Sequence, residues 1–301
     1  MLGNAFLDIA IGLVMMFLVL SLVCTTINEF IATFMRLRAN FLKQGLERIL
    51  DEPDVYKAFY DNGLIRSMLP KQGKHFSYLS GSTFALAILQ SLGDPSKPLK
   101  QIDDVKTAID KLDDSDLKKM LIAQITSGQD SIDKLRSEIA TWFDGAMDRV
   151  TGVYQRRIKI ISLVVGLVLA IGLNVDSITV ARALWNDDSL RAQMVQQAQA
   201  YVAQATAPPA AGAPPRDVSL SEVSKKLKGA QDELRPLPIG WDKSVKDLAW
   251  HDWISKVAGW LFTAAALSLG APFWFDLLSK FMNVRGGGGK PEREEEKKDK
   301  K

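Results

Sequence analysis

The stretch Ile160–Leu173, IISLVVGLVLAIGL, decides how this chain is organised. Its 14 residues carry no charge, and Arg156, Arg157 and Lys159 stand just before it. Its length falls short of the roughly 20 apolar residues that cross about 30 Å of hydrocarbon, and suits a buried core helix equally well. The flanking stretches decide between the two. Ile9–Ile27 (IAIGLVMMFLVLSLVCTTI) and Val257–Phe275 (VAGWLFTAAALSLGAPFWF) are each long enough to span. The first runs into Arg36, Arg38 and Lys43, and the last into Lys280, Arg285 and Lys290. Two spans with basic C-terminal ends point the same way, so the chain must cross once more between them. Ile160–Leu173 supplies that crossing, extended to Ile158 by a snorkelling Lys159.

Counting basic residues near the span ends orients the scheme. One side holds Arg36, Arg38, Lys43, Arg48, Arg149, Arg156, Arg157, Lys159, Lys280, Arg285 and Lys290, eleven in all. The other holds Arg182, Lys243, Lys246 and Lys256, four in all. The positive-inside rule then puts the N-terminus outside and the C-terminus in the cytoplasm. The expected fold is an all-α integral membrane protein with three transmembrane helices. A periplasmic N-terminus (1–8) leads into transmembrane helix 1 (9–35), a cytoplasmic helical module (36–157) and transmembrane helix 2 (158–175). A periplasmic segment (176–253), irregular and helical, carries a Pro/Ala linker at 206–216. Transmembrane helix 3 (254–275) and a flexible charged tail (276–301) complete the chain of 301 residues.

Composition narrows the chemistry. The formal net charge of +3 is what basic membrane flanks leave behind, so no nucleic acid is implied. The single cysteine, Cys24, excludes an internal disulfide and a cysteine-based metal site. The two histidines, His75 and His251, have no partner at ligand spacing. The start, MLGNAFLDIA, lacks a basic n-region, so Ile9–Ile27 reads as a retained anchor and not a signal peptide. No catalytic Ser-His or Cys-His arrangement is visible, and no cofactor is implied.

The cytoplasmic module reads as helical. Leu135, Ile139, Phe143, Met147 and Val150 recur at three- and four-residue steps ahead of the second span. The first span is expected to continue unbroken into RLRANFLKQGLERIL, with Leu42, Leu46 and Leu50 on one face. Asp113 or Ser115 should cap the helix after DDSD, and Ser80 or Ser82 the helix GSTFALAILQSL. DDSD lacks the spacing of a calcium loop. Asp144 and Asp148 read as a solvated helix face, and KQGKHFSYLSGST lacks the register of a phosphate loop.

Charged residues at the span ends form the candidate site. A carboxylate near hydrocarbon is costly unless paired. Glu29 and Asp276 are therefore expected to join Arg156, Arg157, Lys159 and Lys280 in an interhelical charge cluster at the inner ends of the spans. At the outer end of span two, Asn174 and Asp176 lie opposite Asp8, with Asp176 expected to cap a helix from Ser177. Gly166, Gly259 and Gly270 allow close helix packing without forming a strict GxxxG.

Several strings carry a resemblance. They include LSLVCTTINEF (20–30), WFDGAMDRVTGVYQRR (142–157), NVDSITVARALWNDDSLR (174–191) and PFWFDLLSKFMN (272–283). With these, the chain resembles an uncharacterised family of bacterial inner-membrane proteins. The resemblance implies a bacterial inner membrane and a helical module facing the cytoplasm, and it brings no activity with it. The expected function is a non-enzymatic anchor or scaffold presenting that module to a partner. The alternative is a subunit of a transport or channel assembly. The expected partners are membrane lipids and either a protein or a second copy of the chain.

Overall fold

The computed structural model describes residues 2–69, 78–93, 101–126, 131–204, 218–241 and 250–285. All regular structure among them is helical. The helices are α1 (Leu2–Phe34), α2 (Leu37–Ile49), α3 (Pro53–Asp61), α4 (Gly63–Met68), α5 (Gly81–Leu92), α6 (Ile102–Asp110) and α7 (Asp116–Thr126). They continue with α8 (Ile132–Gly172), α9 (Ser177–Asn186), α10 (Asp188–Gln204), α11 (Leu220–Glu233), α12 (Trp250–Ser268) and α13 (Ala271–Arg285). The Pro/Ala linker, most of the KQGKHFSYLSGST loop and the charged tail beyond Arg285 lie outside the described residues.

Among the described residues, Ala5–Phe34 is the one helical stretch long and apolar enough to cross a membrane unaided. The other two candidates are bent pairs: α8 and α9 meet at 55°, and α12 and α13 at 93°. Three spans therefore exist only if each bent pair counts as one. The sequence already ends the second span at 175, with Asp176 capping the next helix, and puts a kink at Pro272 in the third. The reasons for the two bends are local. Asn174 adopts a left-handed φ of 50° between α8 and α9. Gly270 has φ 85°, and Pro272 fits the first turn of the helix that restarts after it. Apolar composition runs unbroken through Leu267–Phe275, while the backbone turns through a right angle.

A correction concerns α1. It stops at Phe34 instead of running into α2, because Arg36 is left-handed at φ 48°. The Asn40 side-chain amide donates to the Met35 carbonyl at 3.1 Å and secures the break.

The chain divides into two compact units, Phe34–Arg157 and the remainder, with the boundary inside α8. The first is a helical module with its own core. Leu42 and Leu46 of α2 and its C-cap Leu50 share that core with Phe59, Phe84, Ile109, Leu121, Leu135, Ile139 and Phe143. The Phe84 and Phe143 rings stack at 4.1 Å, and Phe59 meets Phe84 at 5.5 Å. Capping chemistry fixes the helix starts. Ser80 accepts from the Thr83 amide and caps α5, and Ser115 accepts from the Lys118 amide and caps α7. Asp51 also accepts from the Asp116 amide, at 2.8 Å.

The other unit is built around α1. From Ile11 to Cys24 nearly every side chain is buried, against the α8 segment from Ile158 and against α9 to α13. Gly12 faces Leu184 and Met194, and the Phe17 ring lies 4.7 Å from that of Trp274. A helix apolar on all sides must be covered on all sides, and here protein supplies most of the cover. The less apolar helices carry the exposed apolar surface. Ile160, Leu163, Val164 and Val168 of α8 face outward, as do Val257, Leu261 and Phe262 of α12.

Candidate functional site

The polar centre of this unit lies where α8 gives way to α9. The end of α8 is a Schellman turn, with the Val175 amide bonded to the Ala170 carbonyl at 2.8 Å and the Asn174 amide to Ile171 at 3.0 Å. Asn tolerates the left-handed position that Gly usually fills, and its side chain adds two bonds Gly could not make. Asn174 Nδ2 donates to the Gly240 carbonyl at 2.7 Å, and Asn174 Oδ1 accepts from Trp260 Nε1 at 3.3 Å. Trp241 Nε1 donates to the Ile171 carbonyl at 3.0 Å, satisfying a helix-end acceptor.

Two residues on, Asp176 caps α9. Its Oδ1 accepts from the Ile178 and Thr179 amides at 2.9 and 3.3 Å, and its Oδ2 from Thr179 Oγ1 at 2.7 Å. The carboxylate is 4% exposed and sits at the positive end of the α9 dipole. Among the described residues it forms no ion pair; backbone and hydroxyl donors hold it instead. Facing it on α12, Thr263 Oγ1 lies 3.0 Å from the Val175 carbonyl and 2.5 Å from Ser177 Oγ. Gly259 makes this approach possible, because a β-carbon there would overlap Asp176 Oδ1. One turn along, a β-carbon on Gly166 would meet the Ala264 carbonyl at 3.1 Å. With its acceptors occupied, the cluster clamps α8, α9 and α12 together.

A second polar link joins α1 to α8. Asn28 Nδ2 donates to Ser162 Oγ at 2.8 Å, and the Cys24 thiol faces the Ser162 carbonyl at 3.6 Å.

The expected charge cluster is redistributed. Glu29 is half-buried near the C-terminal end of α1, and Lys159 is exposed on α8. Arg156 and Arg157 are exposed and belong to the helical module. Asp276 and Lys280 are exposed on α13 and form no ion pair among the described residues. They also lie away from Glu29. Trp274 packs on Phe17, which precedes Glu29 by twelve residues, or about 18 Å of helix. An ion pair between helices joins Arg285 to Asp8. It brings the end of α13, redirected by the right-angle bend at Gly270, to the N-terminal part of α1. The opposition of Asp8 to Asn174 and Asp176, expected from sequence, gives way to this pairing.

In the helical module, Asp144 Oδ1 accepts from the Gly81 amide at 3.0 Å, and a β-carbon at Gly81 would collide with the Ala140 carbonyl. Asp144 thus ties two helices while lying, with Asp148, on the exposed face expected from sequence. Among the described residues no three His, Cys, Asp or Glu side chains gather as a metal site. Sequence reasoning found Asn174, Asp176 and Gly259 but did not foresee the bonds made by Trp241 and Trp260, whose indoles act across 70 and 86 residues. Against protein-family models, curated proteins and solved structures alike, the chain finds no match.

Proposed function

We propose that this chain is a non-enzymatic anchor or scaffold of a bacterial inner membrane, holding its helical module on the cytoplasmic face for a protein partner. The contrast between the two units carries the reading. One is built on an apolar helix and turns Ile160, Leu163, Val164, Val168, Leu261 and Phe262 outward. The other buries Phe59, Phe84 and Phe143 in its own core and shows charged pairs such as Lys106–Asp103 and Lys119–Asp116 to water. An apolar exterior beside a water-adapted one is the division expected of an anchor and its cargo module.

The basic flanks Arg36, Arg38, Arg156 and Arg157 favour the cytoplasm for the module, and hence an outside N-terminus. The Arg285–Asp8 pair favours returning the end of α13 to the N-terminal side, so that α12 and α13 enter and leave by one face. This revises the cytoplasmic C-terminal end expected from sequence.

A subunit of a transport or channel assembly is the second reading. The broken helix around buried Asp176 favours it, since transporters build sites at such breaks. The internal satisfaction of that break favours the scaffold. Two measurements on the full chain separate the readings. Alkaline carbonate should leave the chain in the membrane pellet; release into the supernatant would defeat both. Purification in mild detergent should then retain a foreign protein subunit. A homo-oligomer that conducts ions on reconstitution would favour the channel, and a lone non-conducting monomer would count against both.

A further inference from the structure

We infer that the groove between α1, α9 and α12 seats one acyl chain of an anionic phospholipid, whose phosphate Arg182 holds. The inference rests on the membrane reading above. The groove has a volume of about 410 Å³, and Leu13, Phe17, Ile178, Ala181 and Phe262 form its walls. That volume lies within the about 300–1,000 Å³ of ordinary small-ligand clefts. Its inner end is closed by Ser177, whose hydroxyl is already engaged with Thr263. Nothing polar is left there to orient a polar ligand, so carbon is the chemistry that fits.

The other end differs. Ile178, Arg182 and Trp185 recur at four- and three-residue steps on α9, so one helix face leads from the apolar floor to a cation and an indole. Arg182 is exposed and enters no ion pair among the described residues, since Asp176 is occupied as a cap. Trp185 meets Phe6 edge-on at 5.2 Å, an aromatic pair suited to the headgroup level. Phe262 on the rim is 63% exposed and continuous with Leu261 and Val257, so the groove opens onto the apolar exterior where lipid would be supplied. An apolar slot with one unpaired arginine at its outer end complements a lipid tail below a phosphate.

Native mass spectrometry of the full-length protein in mild detergent tests this, with palmitoyl-oleoyl phosphatidylglycerol and the phosphatidylcholine of the same chains as probes. The wild type should retain one phosphatidylglycerol in preference to phosphatidylcholine. Arg182→Gln should weaken phosphatidylglycerol about fivefold, the attraction of one surface cation for an anionic lipid. Arg182→Lys should keep most of it, and Ala181→Trp, which fills the slot, should weaken both lipids. Lys256→Gln, a cation outside the groove, should change nothing. Equal retention by wild type and Arg182→Gln would overturn the proposal, as would equal loss in Lys256→Gln. A dimer abolished by Ala181→Trp would assign the groove to a second copy of the chain and overturn it too. Carbonate extraction of the same variants keeps the two failures apart: protein in the supernatant sinks the membrane reading itself, whereas pelleted protein indifferent to Arg182 sinks only the lipid site.

Discussion

Arg285 on the last turn of α13 is paired with Asp8 near the start of α1, across nearly the whole length of the sequence. Both side chains are largely shielded, at 35% and 19% exposure. A pair in that setting falls between a solvent-screened surface contact and a buried ion pair. A double-mutant cycle with Asp8→Asn and Arg285→Gln should therefore give a coupling of about 1–2 kcal/mol in thermal unfolding. Cysteines introduced by Asp8→Cys and Arg285→Cys should cross-link on mild oxidation. Absence of that link in membranes would restore a straight third span ending on the far side.

Gly259 and Gly145 make opposite predictions although both lie within helices. A β-carbon at Gly259 overlaps the Asp176 carboxylate, which is pinned by two amides and cannot move aside cheaply. Gly259→Ala should cost about 1–3 kcal/mol, as overpacked sites do. At Gly145 nothing lies within 4 Å of the added carbon. Gly145→Ala should stabilise by about 0.5–1 kcal/mol through helix propensity alone. Chemical denaturation of both variants checks the pair, and similar signs would refute the α9–α12 clamp.

How much of this was legible depended on whether the signal was local. The three apolar stretches, the module core at Leu135, Ile139 and Phe143, and caps such as Ser80 and Asp176 follow from neighbouring residues, and sequence reached them. The right angle at Gly270 was legible only as a kink at Pro272, because hydropathy records composition and not direction. Leu267–Phe275 stays apolar through a 93° turn. The break at Arg36 was hidden for a related reason, since arginine is not a residue whose presence announces a left-handed backbone. The charge cluster depended on direction as well: α13 carries Asp276 and Lys280 on toward Asp8, at the other end of α1 from Glu29.

Asp187 supplies a test of pH dependence outside the apolar stretches. Its carboxylate begins α10 and accepts from Ser189 Oγ at 2.7 Å, the largest cause holding its pKa below the ordinary 3.8. The Leu190 amide, at 3.0 Å, adds to the effect. A lowered folded-state pKa means that the unfolded chain binds the proton more readily. The contribution is therefore complete above pH 3.8 and disappears as pH falls through the folded value. Asp187→Asn should melt earlier than wild type at neutral pH, and the gap should narrow below that point. A gap independent of pH would show that the charge is not what matters.

Phe143 tests whether the module is stabilised by its own core. Its ring is fully buried and stacked on Phe84, in a cluster drawn only from residues of that unit. Phe143→Ala should cost the module about 3–5 kcal/mol, the usual penalty for emptying an aromatic core site. Phe143→Leu, which keeps most of the apolar volume, should cost less. Neither change touches the α1 core, so both variants should stay in the membrane pellet while the module becomes sensitive to protease. Amide exchange read separately for α5 and for α1 makes the distinction sharp. Lost protection confined to α2–α7 is the expected result. Equal loss in α1 would mean that the two cores form one cooperative unit, and that an anchor carrying a separable module is the wrong description.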